Sequence, residues 1–119
     1  MYSQLREWHQ RYGPRFSIVL YPSDEFGEQE LPAAQIPDFV SQYLPLDADH
    51  VHLMAKAVIN GERAEPVWRW LTTGPFPGAV EWNFDAVFLL DAAGVPVGRY
   101  SAMQLERLDV DLSFLISQC

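Results

Sequence analysis

The side chains of this 119-residue chain that could do chemistry are few and unevenly spread. Ser23, Asp24, Glu25, Glu28, Gln29 and Glu30 gather around Gly27, directly after Phe16–Tyr21, an apolar run between Pro14 and Pro22 that reads as a buried strand. In open α/β sheets, ligands and chemistry collect at the carboxyl ends of strands, so this loop is the first candidate site. Its carboxylates would suit a cation, but Phe26 and Gly27 interrupt any ligand cage, and a solvated acidic face is the better reading. Cys119 is the only cysteine and the last residue, which excludes an intrachain disulfide or a thiolate metal centre and reads as a passenger thiol. His50 and His52 flank Val51 with no third ligand at zinc spacing, so no metal is expected.

The run from Tyr21 to Glu30, YPSDEFGEQE, resembles the strand-and-loop signature of glutathione peroxidases, roughly F-P-C-N-Q-F-G-x-Q-E. The later motifs come in a similar order too: Ile59-Asn60-Gly61, Pro66-Val67-Trp68, Trp82-Asn83-Phe84 and Arg99-Tyr100. Phe-Gly-x-Gln-Glu alone is a weak signal, but with Trp-Asn-Phe downstream at this distance it is a strong one.

The resemblance implies a thioredoxin-like α/β fold and thiol-dependent reduction of hydroperoxides, with glutathione or a similar small thiol as co-substrate and no bound cofactor. In that family two side-chain amides and an indole donate N–H groups to a peroxidatic cysteine or selenocysteine, favouring its anion. Residue by residue these donors carry over to Gln29, Trp82 and Asn83, all of which have the required N–H groups. Without the resemblance Gln29 would read as a solvated loop residue, Trp82 as a core or rim aromatic, and Asn83 as a turn former or cap.

Several departures accompany the resemblance. The family's nucleophile and the central strand leading to it precede the residue matching Tyr2, so the resemblance implies an N-terminally incomplete fold and a chain that is inactive as it stands. The Cys after the strand's proline in many members is Ser23 here, and the resolving Cys of thioredoxin-dependent members falls at Ser41. Without an internal resolving thiol, an external one must regenerate the nucleophile. Trp82–Gly94 is also one residue longer than the family spacing, and the short Gly74–Gly78 loop resembles the compact, mostly monomeric branch.

The incomplete fold carries two expectations. A strand from a partner chain or from a segment outside this sequence should complete the sheet between Phe16–Tyr21 and Ala86–Leu90; the alternative to an enzyme is a non-catalytic interaction module completed the same way. The DNA upstream of the Met1 codon should continue in frame to a UGA selenocysteine codon or a Cys codon.

The elements that must position these residues can be read from periodicity. Tyr2, Leu5, Trp8, His9 and Tyr12 share one helical face over residues 2 to 12, and Gly13-Pro14 ends it. Ile36, Phe39, Val40, Tyr43 and Leu44 predict a second helix from about Gln35, with Pro37 tolerated only in its first turn. Residues 51 to 59 read as a strand closed by an Asn60-Gly61 turn suited to positive φ. Pro66 should open a third helix burying Val67, Trp70 and Leu71, with Trp68 also a core candidate. Ala86–Leu90 and Val95–Tyr100 predict an antiparallel hairpin, and Leu105, Leu108, Leu112, Leu115 and Ile116 a final helix. The order is α-β-α-β-α-β-β-α, within one domain of residues 1 to 119.

Composition narrows the class further. With 49% hydrophobic and 13% aromatic residues the chain can build a modest core. Eight basic against sixteen acidic residues give a formal charge of −8, which argues against nucleic acid or an anionic membrane surface as a partner. No apolar run approaches the ~20 residues of a membrane span, and the opening residues lack a signal pattern. A soluble, cytoplasmic protein is the expectation.

Overall fold

Leu5 and Trp8 lie three residues apart, and a helix puts them on one face, where both are buried; Trp8 is only 2% exposed. They belong to α1 (Tyr2–Tyr12) of a computed structural model that describes residues 1–23, 33–81 and 86–118. The chain divides into two compact units, Met1–Ala57 and Val58–Cys119, each with its own two-stranded sheet.

In the first unit α1 is followed by β1 (Ile18–Leu20), α2 (Ile36–Ser41) and β2 (Val51–Leu53). The two strands pair in parallel, Ile18 opposite Val51 and Leu20 opposite Leu53, as a crossover through a helix requires. α2 begins after a 3₁₀ turn at Ala33–Gln35, with Pro37 in its first turn, where the missing N–H would have no helical partner anyway. Its apolar face buries Ile36 and Val40, with Leu44 just beyond the helix. On its flank Tyr2 stacks on Tyr43 at 5.5 Å and meets Phe39 edge-on at 5.4 Å. These ring pairs tie α1 to the α2 region.

β2 is shorter than its apolar pattern suggested. Met54 still donates to Leu20 at 2.9 Å and Ala57 to Pro22 at 2.9 Å, but regular pairing stops at Leu53. Proline has no N–H to return, so Pro22 can accept from the neighbouring segment but cannot continue a ladder.

The second unit holds α3 (Pro66–Thr73), β3 (Val87–Leu90), β4 (Pro96–Tyr100) and α4 (Leu105–Ser117). Pro66 opens α3, and the Glu65 carboxylate caps it by accepting from Val67 N–H at 3.0 Å. Leu71 is buried as expected, but Val67 is 39% and Trp70 49% exposed. Trp68, half-buried, turns an edge of its ring to Phe88 at 5.8 Å. On α3 it is therefore Trp68, not Trp70, that meets β3, and Leu71 that is buried.

β3 and β4 pair antiparallel, with Val87 opposite Tyr100 and a bulge near Leu90. Asp91 makes the turn between them: its carboxylate accepts from Ala93 and Val95 N–H at 2.9 and 3.0 Å, and Gly94 takes φ 82°. Ser101 and Gln104 form a capping box ahead of α4, which buries Leu108, Leu112 and Ile116. The element order matches the order expected from the sequence.

Candidate functional site

Gln29, Trp82 and Asn83 lie outside the described residues, as do the acidic loop residues Asp24 to Glu30 and Cys119. What can be built from the structure is the framework that carries them in the chain.

Ahead of Gln29, the framework ends at Ser23. β1 delivers this residue to a buried position, 6% exposed, and Pro22 just before it accepts the N–H of Ala57. Ser41, the other serine that the resemblance matches to a cysteine, sits exposed at the end of α2, where its hydroxyl donates to the Asp38 carbonyl at 2.9 Å.

Ahead of Trp82, the framework is a run without helix or strand, residues 74 to 81. Pro75 and Pro77 have no N–H, so regular pairing is closed to much of this run. Several of its backbone polar groups are met by side chains. The Arg99 guanidinium, on β4, donates to the carbonyls of Phe76, Gly78 and Ala79 at 3.2, 2.8 and 3.0 Å, while lying 5.3 Å over the Phe88 ring. One cation thus gathers three carbonyls. Gly78 takes φ 124°, a backbone region in which other residues are strained, and donates to Thr72 at 3.0 Å.

A further anchor ahead of Trp82 is Asn60. Its carboxamide Nδ2 donates to the Val80 carbonyl at 2.7 Å, and its Oδ1 accepts from the Val80 N–H at 2.8 Å. A side-chain amide here makes the two bonds a neighbouring strand would make. Val80 is buried, and Gly61, at φ 83°, supplies the positive-φ turn that the Asn60-Gly61 pair suggested. On the far side of Trp82–Asp85 the chain enters β3, held to β4 through Val87 and Tyr100.

In the sequence Asn60 reads as a turn former within the Ile59-Asn60-Gly61 match, and Arg99 as part of an Arg-Tyr match. Proline spacing was the one available signal: a run with Pro75 and Pro77 needs outside donors. Nor does the first unit's sequence reveal that His50 Nε2 and His9 Nδ1 lie 3.1 Å apart, a hydrogen bond between nearly parallel rings. Among the described residues no group of three His, Cys, Asp or Glu side chains could hold a metal ion, and no helix is long and apolar enough to cross a membrane.

Comparison with known proteins adds the family context. A sequence profile described as glutathione peroxidase matches residues 1–72. The chain is similar to the phospholipid hydroperoxide glutathione peroxidase of Bos taurus, 34% identical over 111 residues, and to that of Mus musculus, 33% identical over 111 residues. Each match covers 87% of this chain and 53% of the relative, so the chain spans about half the length of the curated relatives it matches. Among solved structures, T. cruzi GPX1 superposes with a TM-score of 0.69 at 26% identity, covering 98% of this chain and 71% of the other. Trgpx in its apo form superposes at 0.67 and 22% identity, covering 97% and 67%, a likeness of fold.

Proposed function

Because the chain belongs to the glutathione peroxidase family, we propose that the protein of which it forms part reduces hydroperoxides at the expense of a small thiol, glutathione or a similar one. The fold is thioredoxin-like, shared with solved structures of which the chain covers 67 to 71%. The observation that carries the proposal is the profile match over residues 1–72 joined to the later Trp82-Asn83-Phe84 motif.

In this reading Gln29, Trp82 and Asn83 donate N–H groups to a thiolate or selenolate supplied by a part of the protein outside these 119 residues. The anion attacks one peroxide oxygen and the O–O bond breaks. The leaving alkoxide takes a proton to become an alcohol or water, and the nucleophile becomes a sulfenic or selenenic acid. One thiol condenses with that acid and releases water; a second displaces the first as a disulfide and restores the nucleophile. Donors aimed at the anion keep it deprotonated at neutral pH and stabilise the charge that moves in the attack. With serine at positions 23 and 41, no thiol of this chain matches a resolving cysteine, which favours the external thiol.

The test is to read the DNA upstream of the Met1 codon and assay the full gene product with hydrogen peroxide and glutathione. Turnover is expected, with Gln29→Ala, Trp82→Phe and Asn83→Ala each lowering kcat/KM by about 10²-fold. The 119-residue chain alone should be silent. A gene product without turnover, or activity of the short chain that disappears in Cys119→Ser, would overturn the reading.

A further inference from the structure

We propose that Asn60 is a positioning residue for the site: by pairing both backbone groups of Val80, its carboxamide sets where the chain enters Trp82 and Asn83. The inference rests on the reading of those two residues as donors.

The geometry is specific. Val80 offers one donor and one acceptor, and Asn60 answers each, at 2.8 and 2.7 Å. Only a group with a hydrogen-bond donor and an acceptor side by side can do so, as a carboxamide does. A carboxylate would keep the bond to the Val80 N–H but turn a second oxygen on the Val80 carbonyl. Arg99 fixes the carbonyls of Phe76, Gly78 and Ala79 just upstream, so Asn60 extends this run of side-chain anchors to Val80.

Chain length makes this control local. A residue spans at most about 3.3–3.6 Å, and Val80, held at two points, precedes Trp82 by two residues in the sequence. Beyond Asp85, β3 is pinned to β4 opposite Tyr100. The stretch carrying the proposed donors therefore has an anchor on each side, Asn60 at Val80 and the β3–β4 pairing beyond Asp85. Of the donors, only Trp82 and Asn83 depend on this anchor; Gln29 belongs to the other unit.

The test uses the full chain labelled with 5-fluorotryptophan. Its four indoles, Trp8, Trp68, Trp70 and Trp82, give separate fluorine NMR signals, assigned by single Trp→Phe variants. In Asn60→Asp at pH ~7 the ionised carboxylate cannot donate, and the Trp82 signal should shift or broaden while those of Trp8 and Trp68 hold. At about pH 3.5, below the ordinary aspartate value, the protonated acid has both an O–H donor and a carbonyl acceptor and should return the Trp82 signal towards its wild-type position at that pH. Asn60→Ser, too short to bridge both groups, should displace the signal at both pH values. An unmoved Trp82 signal overturns the proposal, and so does movement of all four signals together, which would make Asn60 a residue of general stability. The readout needs no turnover, so a silent peroxidase assay with a displaced Trp82 signal would refute the enzymatic reading and leave this inference standing.

Discussion

The phenol of Tyr100 donates a hydrogen bond to the carboxylate of Asp111, joining the end of β4 to the middle of α4. Burial of the ring and this acceptor push the phenol up to about 12 from its ordinary 10.0, since both favour the neutral O–H. The contribution to stability is therefore complete below pH 10 and is lost as pH rises towards 12. Thermal unfolding monitored by circular dichroism should show a midpoint that falls across this window. Tyr100→Phe should flatten the fall and cost about 1–3 kcal/mol at neutral pH, because Asp111 loses its donor.

Gly98 should be as important to that bond as either partner. A Cβ at Gly98 would meet two Tyr100 ring carbons at 2.7 Å, because the ring folds back over the strand two residues earlier. Gly98→Ala should cost about 1–3 kcal/mol by forcing the ring aside. Combined with Tyr100→Phe it should be non-additive at neutral pH, and it should share the flattened alkaline profile. Strict additivity in denaturant titrations would show that the two positions act separately.

His9 and His50 tie α1 to the segment entering β2 through their 3.1 Å nitrogen contact. A double-mutant cycle of His9→Ala and His50→Ala should give a coupling of about 0.5–1.5 kcal/mol. A coupling of zero would mean the contact adds nothing to stability.

Tryptophans of this chain should differ widely in what they contribute. Trp8 is almost fully buried in the first unit, so Trp8→Ala should cost about 3–5 kcal/mol. Trp70 leaves about half its surface in water, and Trp70→Ala should change stability by only about 0.5 kcal/mol. Urea midpoints of the two variants would check this directly.

Elements that local chemistry dictates were legible in the sequence. Tyr2–Tyr12 forms a helix because its apolar residues recur at helical spacing, Pro37 enters α2 only where its missing N–H is harmless, and Asp91 with Gly94 turns β3 into β4 through contacts within five residues. The candidate donors Gln29, Trp82 and Asn83 were legible only through motif order, since each type has a bland role elsewhere, and all three lie outside the described residues. Packing decided whatever depends on a partner distant in sequence. β2 ends where the opposing segment presents Pro22, and Trp68 rather than Trp70 faces β3. Asn60 finds its two bonds at Val80, twenty residues away, and Arg99 finds carbonyls as far as 23 residues back. Periodicity shows which face of an element is apolar, but a hydrogen bond needs its particular donor and acceptor brought together, and that depends on how the whole unit packs.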